Sequence, residues 1–251
     1  MIKNTLKMWP KIILFGDSHT QRSFDPNNGC WGALLANKFQ RVCDIVPRGF
    51  SGYNTRWCKM IMPKIFAQFK AEEIACVTIL LGSNDSVPAS SVTGQHVPVD
   101  EYRKNLVAML NHLTSKGIDK DKIILITPPH MHQTIFKAWS FEQNRPIIPE
   151  TWEKDLIKYV DACRSVAKEM NISLLDLYKI FMAVKDNNEK LFNDGLHLSR
   201  DGGQLLYDNL LPLITERVVR ITGKPLTDQS MQYPYWRDVD VNNPEKSLLR
   251  P

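Results

Sequence analysis

Lys11-Ile12-Ile13-Leu14-Phe15-Gly16-Asp17-Ser18-His19-Thr20 is the stretch whose reading decides the fold. Ile12 to Phe15 is unbroken and apolar, and it stops at a Gly-Asp-Ser turn. A short apolar run ended by glycine is the pattern of a parallel strand buried on both faces. In open α/β sheets, functional groups gather just beyond the carboxyl ends of such strands. Ser18 stands at such a point. Serine is also a common helix cap, so this stretch alone leaves capping and nucleophilic catalysis both open.

Working outward, Val42–Val46, Ile74–Leu81, Lys122–Thr127 and Ile172–Leu177 read as four further strands. Between them lie helical patterns: Trp31–Phe39, a segment running to about Phe69, Val99–Ser115 and Thr151–Met170. In Val99–Ser115, Tyr102, Leu106 and Leu113 share one face, and Gly117 is a natural stop. Leu156, Val160, Cys163 and Ala167 do the same in the following helix. Ser199 caps a last helix reaching about Val219, which Pro212 is expected to bend. Residues 130–149 show no clear period. They read as a long connection carrying Phe136, Trp139 and Phe141, of the kind that forms lids or pocket walls. Strands alternating with helices predict an α/β fold with a five-stranded parallel sheet covered on both faces. The simplest organisation is one domain over residues 1–251, with 223–251 as an irregular tail packed on it. The aromatics Tyr233, Tyr235 and Trp236 are expected to be buried there, or to reach a second copy in a homodimer.

Composition narrows the function classes. The 251 residues are 43% hydrophobic and 24% charged, and the net charge of +5 is scattered among acidic residues. No basic run or aromatic-basic ladder points to nucleic acid. No stretch approaches membrane-spanning length. Cys30, Cys43, Cys58, Cys76 and Cys163 are odd in number and lack C-x-x-C spacing, which fits a reducing compartment and a cytoplasmic protein. His130-x-His132 has no third ligand at a recognisable spacing, so neither a metal nor another cofactor is expected. His96 and His112 read as surface residues. A phosphate-binding G-x-G-x-x-G is missing, which argues against a nucleotide binder.

Four polar turns follow strands: Gly16-Asp17-Ser18, Gly49 to Thr55, Gly82 to Asp85, and Asp194 to His197. In a parallel sheet such ends share one edge, so these turns meet. A serine hydroxyl needs a base, which His197 can supply, and Asp194 can hold the ring. The N–H groups of Ser18 and Gly52 and the Asn84 amide are donors suited to an oxyanion. Each has a plain rival as a turn or cap residue. The complete set at strand ends favours chemistry.

Gly16-Asp17-Ser18, Gly52, Gly82-x-Asn84-Asp85 and Asp194-x-x-His197 resemble, in order, the four sequence blocks of the SGNH (GDSL-type) hydrolases. Within that superfamily, residues 48–57, Asp194-Gly195-Leu196-His197 and Tyr235-Trp236-Arg237-Asp238-Val239 look like the isoamyl acetate-hydrolysing branch. The resemblance implies a flavodoxin-like three-layer α/β/α fold and cleavage of small, acetate-type esters. It implies Ser18 as nucleophile, His197 as base, Asp194 as its partner, and Ser18, Gly52 and Asn84 as the oxyanion hole. Lysophospholipase, thioesterase and carbohydrate deacetylase activities use the same constellation. A silent binding protein of this fold is the rival from another class, but no catalytic group is missing. His19 departs from the usual aliphatic residue and puts substrate preference, not the reaction, in question.

Overall fold

The computed structural model describes residues 9–145, 151–186, 188–227 and 231–249. The apolar runs form β1 (Lys11–Gly16), β2 (Asp44–Gly49), β3 (Ile74–Leu80), β4 (Ile123–Ile126) and β5 (Ser173–Leu175). They make one sheet in the order β2-β1-β3-β4-β5, with every pairing parallel. The order reverses beside β1, so the crevice between the ends of β1 and β3 is where such a sheet offers a site.

The helices are α1 (Ser18–Gln21), α2 (Trp31–Lys38), α3 (Thr55–Phe66), α4 (Val99–Ser115), α5 (Gln133–Glu142), α6 (Trp152–Met170), α7 (Leu177–Met182), α8 (Arg200–Thr222) and α9 (Pro244–Leu248). Strand side chains alternate between two cores. Ile13, Phe15, Val77, Ile79, Ile123 and Leu125 pack with α3, α4 and α6. Ile12, Leu14, Cys76, Leu80, Ile124 and Ile126 pack with α2, α7 and α8. Period-two alternation with both faces apolar is why the runs are continuous, and it produces the three-layer arrangement.

Several elements differ from the reading of the sequence. β2 continues past Val46 through Pro47 to Gly49. It is an edge strand bonded only to β1, so the missing N–H of Pro47 can face away from the ladder. The connection after β4 is not irregular: α5 forms there, with Phe136 and Ser140 buried. Residues 146–150 of that connection lie outside the described residues. α7, capped by Asp176, follows β5 directly and takes in Leu177, which the sequence pattern places at the end of that strand. Pro212 lies inside α8, which continues to Thr222. The tail is held by Arg41, whose guanidinium donates to the carbonyls of Tyr233 and Pro234 at 3.0 and 2.7 Å. Its aromatics are nevertheless exposed, Tyr233 at 51% and Trp236 at 69%. Backbone contacts, not aromatic burial, fasten that part of the tail.

Candidate active site

The first wall of the site is built by the end of β1. Asp17 caps α1, its carboxylate accepting from the His19 N–H at 3.0 Å, and Ser18 becomes the first helical residue. Asp17 is fully buried. Burial raises its pKa to about 8, the His19 N–H offsets part of the rise, and nearby Asp85 adds to it. Asp17 thus braces the turn and takes no part in the serine's hydrogen-bond chain.

The second wall is the turn between α7 and α8. Phe192 and Leu198 form an antiparallel bridge, and the Asn193 N–H donates to the His197 carbonyl at 2.9 Å. Inside this loop Asp194 Oδ1 accepts from the N–H groups of Leu196 and His197 at 3.0 and 2.7 Å. Its Oδ2 lies 2.6 Å from His197 Nδ1, and His197 Nε2 lies 3.0 Å from Ser18 Oγ. A carboxylate at Nδ1 fixes the tautomer with its proton there, leaving the Nε2 lone pair for the serine hydroxyl. Burial opposes ionisation of Asp194, but the hydrogen bonds and charge of His197 outweigh it and hold the pKa down to about 2. Gly195 has φ +83, and a Cβ there would collide with the Phe136 amide nitrogen and lie 2.6 Å from the His132 carbonyl. Only glycine lets the start of α5 press so closely on this turn.

The third wall comes from the ends of β2 and β3. Gly52 has φ +80, and no described residue accepts its N–H. Asn84 donates through Nδ2 to the Tyr53 carbonyl at 2.8 Å. Behind it, Asp85 accepts from the Thr55 N–H at 2.9 Å and is joined to the Thr55 hydroxyl. Burial lifts Asp85 to a pKa of about 7 against those bonds.

Ser18, Gly52, Asn84 and His197 therefore line one cleft of about 170 Å³. Phe136, Trp139, Trp152 and Leu196 make its apolar lining, and Ser51, Thr93 and Gln95 add polar groups. Arg145 stacks over the Trp139 ring at 4.7 Å. Phe141, grouped with these aromatics from sequence, is instead 77% exposed and does not line the cleft. Trp152 and Gln95 were not visible as site residues. Trp152 reads as an ordinary helix residue, while Gln95 sits in a polar loop with no motif.

His19 is buried and keeps its neutral form, because burial, and next the charge of His197, push its pKa down to about 3. Its ring lies 5.8 Å from that of His197, and its Nε2 is 3.3 Å from Ser83 Oγ. His130 is a buried core residue against Tyr178 and Phe192, and no cluster of metal-ligating side chains occurs among the described residues. His96 is half-buried rather than a free surface group, with Nδ1 2.7 Å from the Val87 carbonyl.

A three-layer α/β/α fold around a five-stranded parallel sheet, with a serine, an imidazole and a carboxylate within hydrogen-bond reach of one another at its switch point, is the architecture of the GDSL-type hydrolases. Residues 14–205 match the GDSL-like lipase/acylhydrolase family, and the chain belongs to it as a carboxylic ester hydrolase. It is 39% identical to the isoamyl acetate-hydrolyzing esterase 1 homolog of Homo sapiens, over 96% of this chain and 93% of that one. Among solved structures it is similar to a lipase/acylhydrolase from Enterococcus faecalis, with a TM-score of 0.60, 25% identity, and 84% of this chain and 96% of that one covered. An acetylxylan esterase from Geobacillus stearothermophilus shares the fold, with a TM-score of 0.63 at 21% identity over 82% of this chain and 94% of that one.

Proposed function

We propose that this protein is a serine esterase that cleaves small carboxylic esters, acetates among them, through an acyl-enzyme. The observation that carries the reading is the chain of contacts from Ser18 Oγ to His197 Nε2 at 3.0 Å and from His197 Nδ1 to Asp194 at 2.6 Å. His197 Nε2 takes the hydroxyl proton as Ser18 Oγ attacks the ester carbonyl. The oxyanion is received by the N–H groups of Ser18 and Gly52 and by Asn84 Nδ2. The tetrahedral species collapses by breaking the bond to the alcohol oxygen, which leaves with the proton from His197. Water, deprotonated by His197, then attacks the acyl carbon, and the departing Ser18 Oγ recovers the proton as the acid is released. Asp194 stays ionised throughout and stabilises the imidazolium.

Size supports a small substrate: about 170 Å³ is below the roughly 300 Å³ at which sites for drug-sized ligands begin. The names of the isoamyl acetate-hydrolyzing and acetylxylan relatives point the same way. No helix among the described residues is long and apolar enough to cross a membrane. All five cysteines are unpaired, which favours work in the cytoplasm.

Hydrolysis of p-nitrophenyl acetate, butyrate, octanoate and palmitate by wild type and Ser18→Ala tests this reading. Wild type should prefer the short chains, and Ser18→Ala should lose about 10⁴-fold or more in kcat. A preference for palmitate would replace the small-ester reading with a lipase-like one. Full activity in Ser18→Ala would remove the site assignment altogether.

A further inference from the structure

We infer that Gln95 is a positioning residue for the oxyanion hole, and that its single amide nitrogen sets both Gly52 and Asn84. The inference rests on the esterase reading above and deepens it. Gln95 Nε2 donates to the Gly52 carbonyl at 2.8 Å and to Asn84 Oδ1 at 2.9 Å. An amide nitrogen has two protons, so both are used, and each goes to a different one of the two residues that follow β2 and β3.

Which way these amides face follows from the backbone. The Gly52 carbonyl only accepts, so the Gln95 atom against it must be Nε2. That nitrogen only donates, so the Asn84 atom facing it must be Oδ1. The Tyr53 carbonyl independently requires Asn84 Nδ2, at 2.8 Å on the other side. Two carbonyls thus dictate the orientation of two side-chain amides. One proton of Asn84 Nδ2 remains for the cleft that Asn84 lines.

Gln95 is itself held. Its backbone carbonyl accepts from Asn54 Nδ2 at 2.9 Å, and Asn54 caps α3. Two positions on, the Val97 N–H donates to the Asp85 carbonyl at 3.1 Å, so this loop is tied to the end of β3. Gly52 needs such a strut. Its left-handed backbone has no acceptor for its N–H among the described residues, and beyond its chain neighbours the described atom that a Cβ there would meet is Gln95 Nε2, at 3.5 Å. Without Gln95, the carbonyl of Gly52 loses its donor and the peptide that carries the oxyanion N–H is free to turn. Asn84 then keeps one anchor of two.

The test is kinetic and uses the whole chain. Gln95→Met keeps the length of the side chain and removes both donors. Gln95→Glu turns the donor into acceptors facing two acceptors. With p-nitrophenyl acetate, both should lower kcat by about 10²-fold, the usual cost of misplacing a group by about 1 Å, while KM moves little. Thermal midpoints measured alongside identify any variant that has merely unfolded. The discriminating readout is a double-mutant cycle with Asn84→Ala. If Gln95 acts partly through Asn84, Gln95→Met costs less in the Asn84→Ala background than in wild type. Equal losses in both backgrounds, a loss confined to KM, or kcat within about twofold of wild type would each overturn the inference. Ser18→Ala is run in the same series. An inactive Ser18→Ala beside fully active Gln95 variants sinks the positioning role alone, whereas an active Ser18→Ala sinks the esterase site and this inference with it.

Discussion

Two carboxylates flank the serine and the imidazole, and the protein pushes them in opposite directions. Asp194 is held at about 2, so it remains charged at any ordinary working pH. Asp194→Asn keeps the shape but removes the charge and permits the wrong tautomer. We expect kcat to fall by about 10⁴-fold with the fold intact, measured by ester hydrolysis and circular dichroism. Asp17 goes the other way, from 3.8 to about 8. Between those values the folded protein holds a proton that the unfolded chain has released, so Asp17 makes stability fall as pH rises. Below 3.8 both states are protonated, and above about 8 the whole loss is present. Asp17→Asn should flatten that fall, leaving the part due to Asp85. Urea midpoints across this pH range check it, and an unchanged slope would refute it. The proposed site residues Ser18, Gly52 and Asn84 were legible at this scale because each stands in a polar turn that follows an apolar strand. Asp194 and His197 were legible only as an Asp-x-x-His pair, their turn following α7 and not a strand. Gln95 was not, because its partners are a carbonyl from one loop and a side chain from another.

Among the elements, α5 matters most for selectivity. Its start is pressed on Gly195, and its Phe136 and Trp139 form part of the apolar lining of the cleft. Trp139 is only half-buried, so its removal opens space at modest cost to stability. Trp139→Ala should raise kcat/KM for octanoate relative to acetate by about tenfold or more, the scale on which a pocket senses added methylenes. An unchanged ratio would show that acyl chains lie elsewhere. The strands were readable because both their faces are apolar. α5 escaped because Phe136, Trp139 and Ser140 do follow helical spacing but include a buried serine, and the sequence around them is mixed. α7 escaped because six residues are too few to show a period.

Over the whole molecule, the tail's anchor on Arg41 and the candidate site lie at opposite ends of the strands. Arg41 precedes β2, at the amino ends of the strands, whereas Ser18 and Asn84 lie beyond carboxyl ends. Arg41→Ala should therefore make residues 231–249 more susceptible to limited proteolysis while leaving esterase kcat/KM within about twofold, since it loses hydrogen bonds remote from the cleft. Loss of activity would mean that tail docking reaches the site. Sequence composition suggested burial of Tyr233 and Trp236, but exposure of single aromatics costs little when backbone carbonyls supply the attachment. Finally, Ser18 and His197 are separated by 179 positions along the chain, and their contact needs the last turn before α8. During synthesis at about 5–20 residues per second, Ser18 exists for roughly 10–40 s before His197, its proposed base, has been made. On the proposed mechanism, a nascent chain therefore carries an inert hydroxyl until synthesis has passed residue 197.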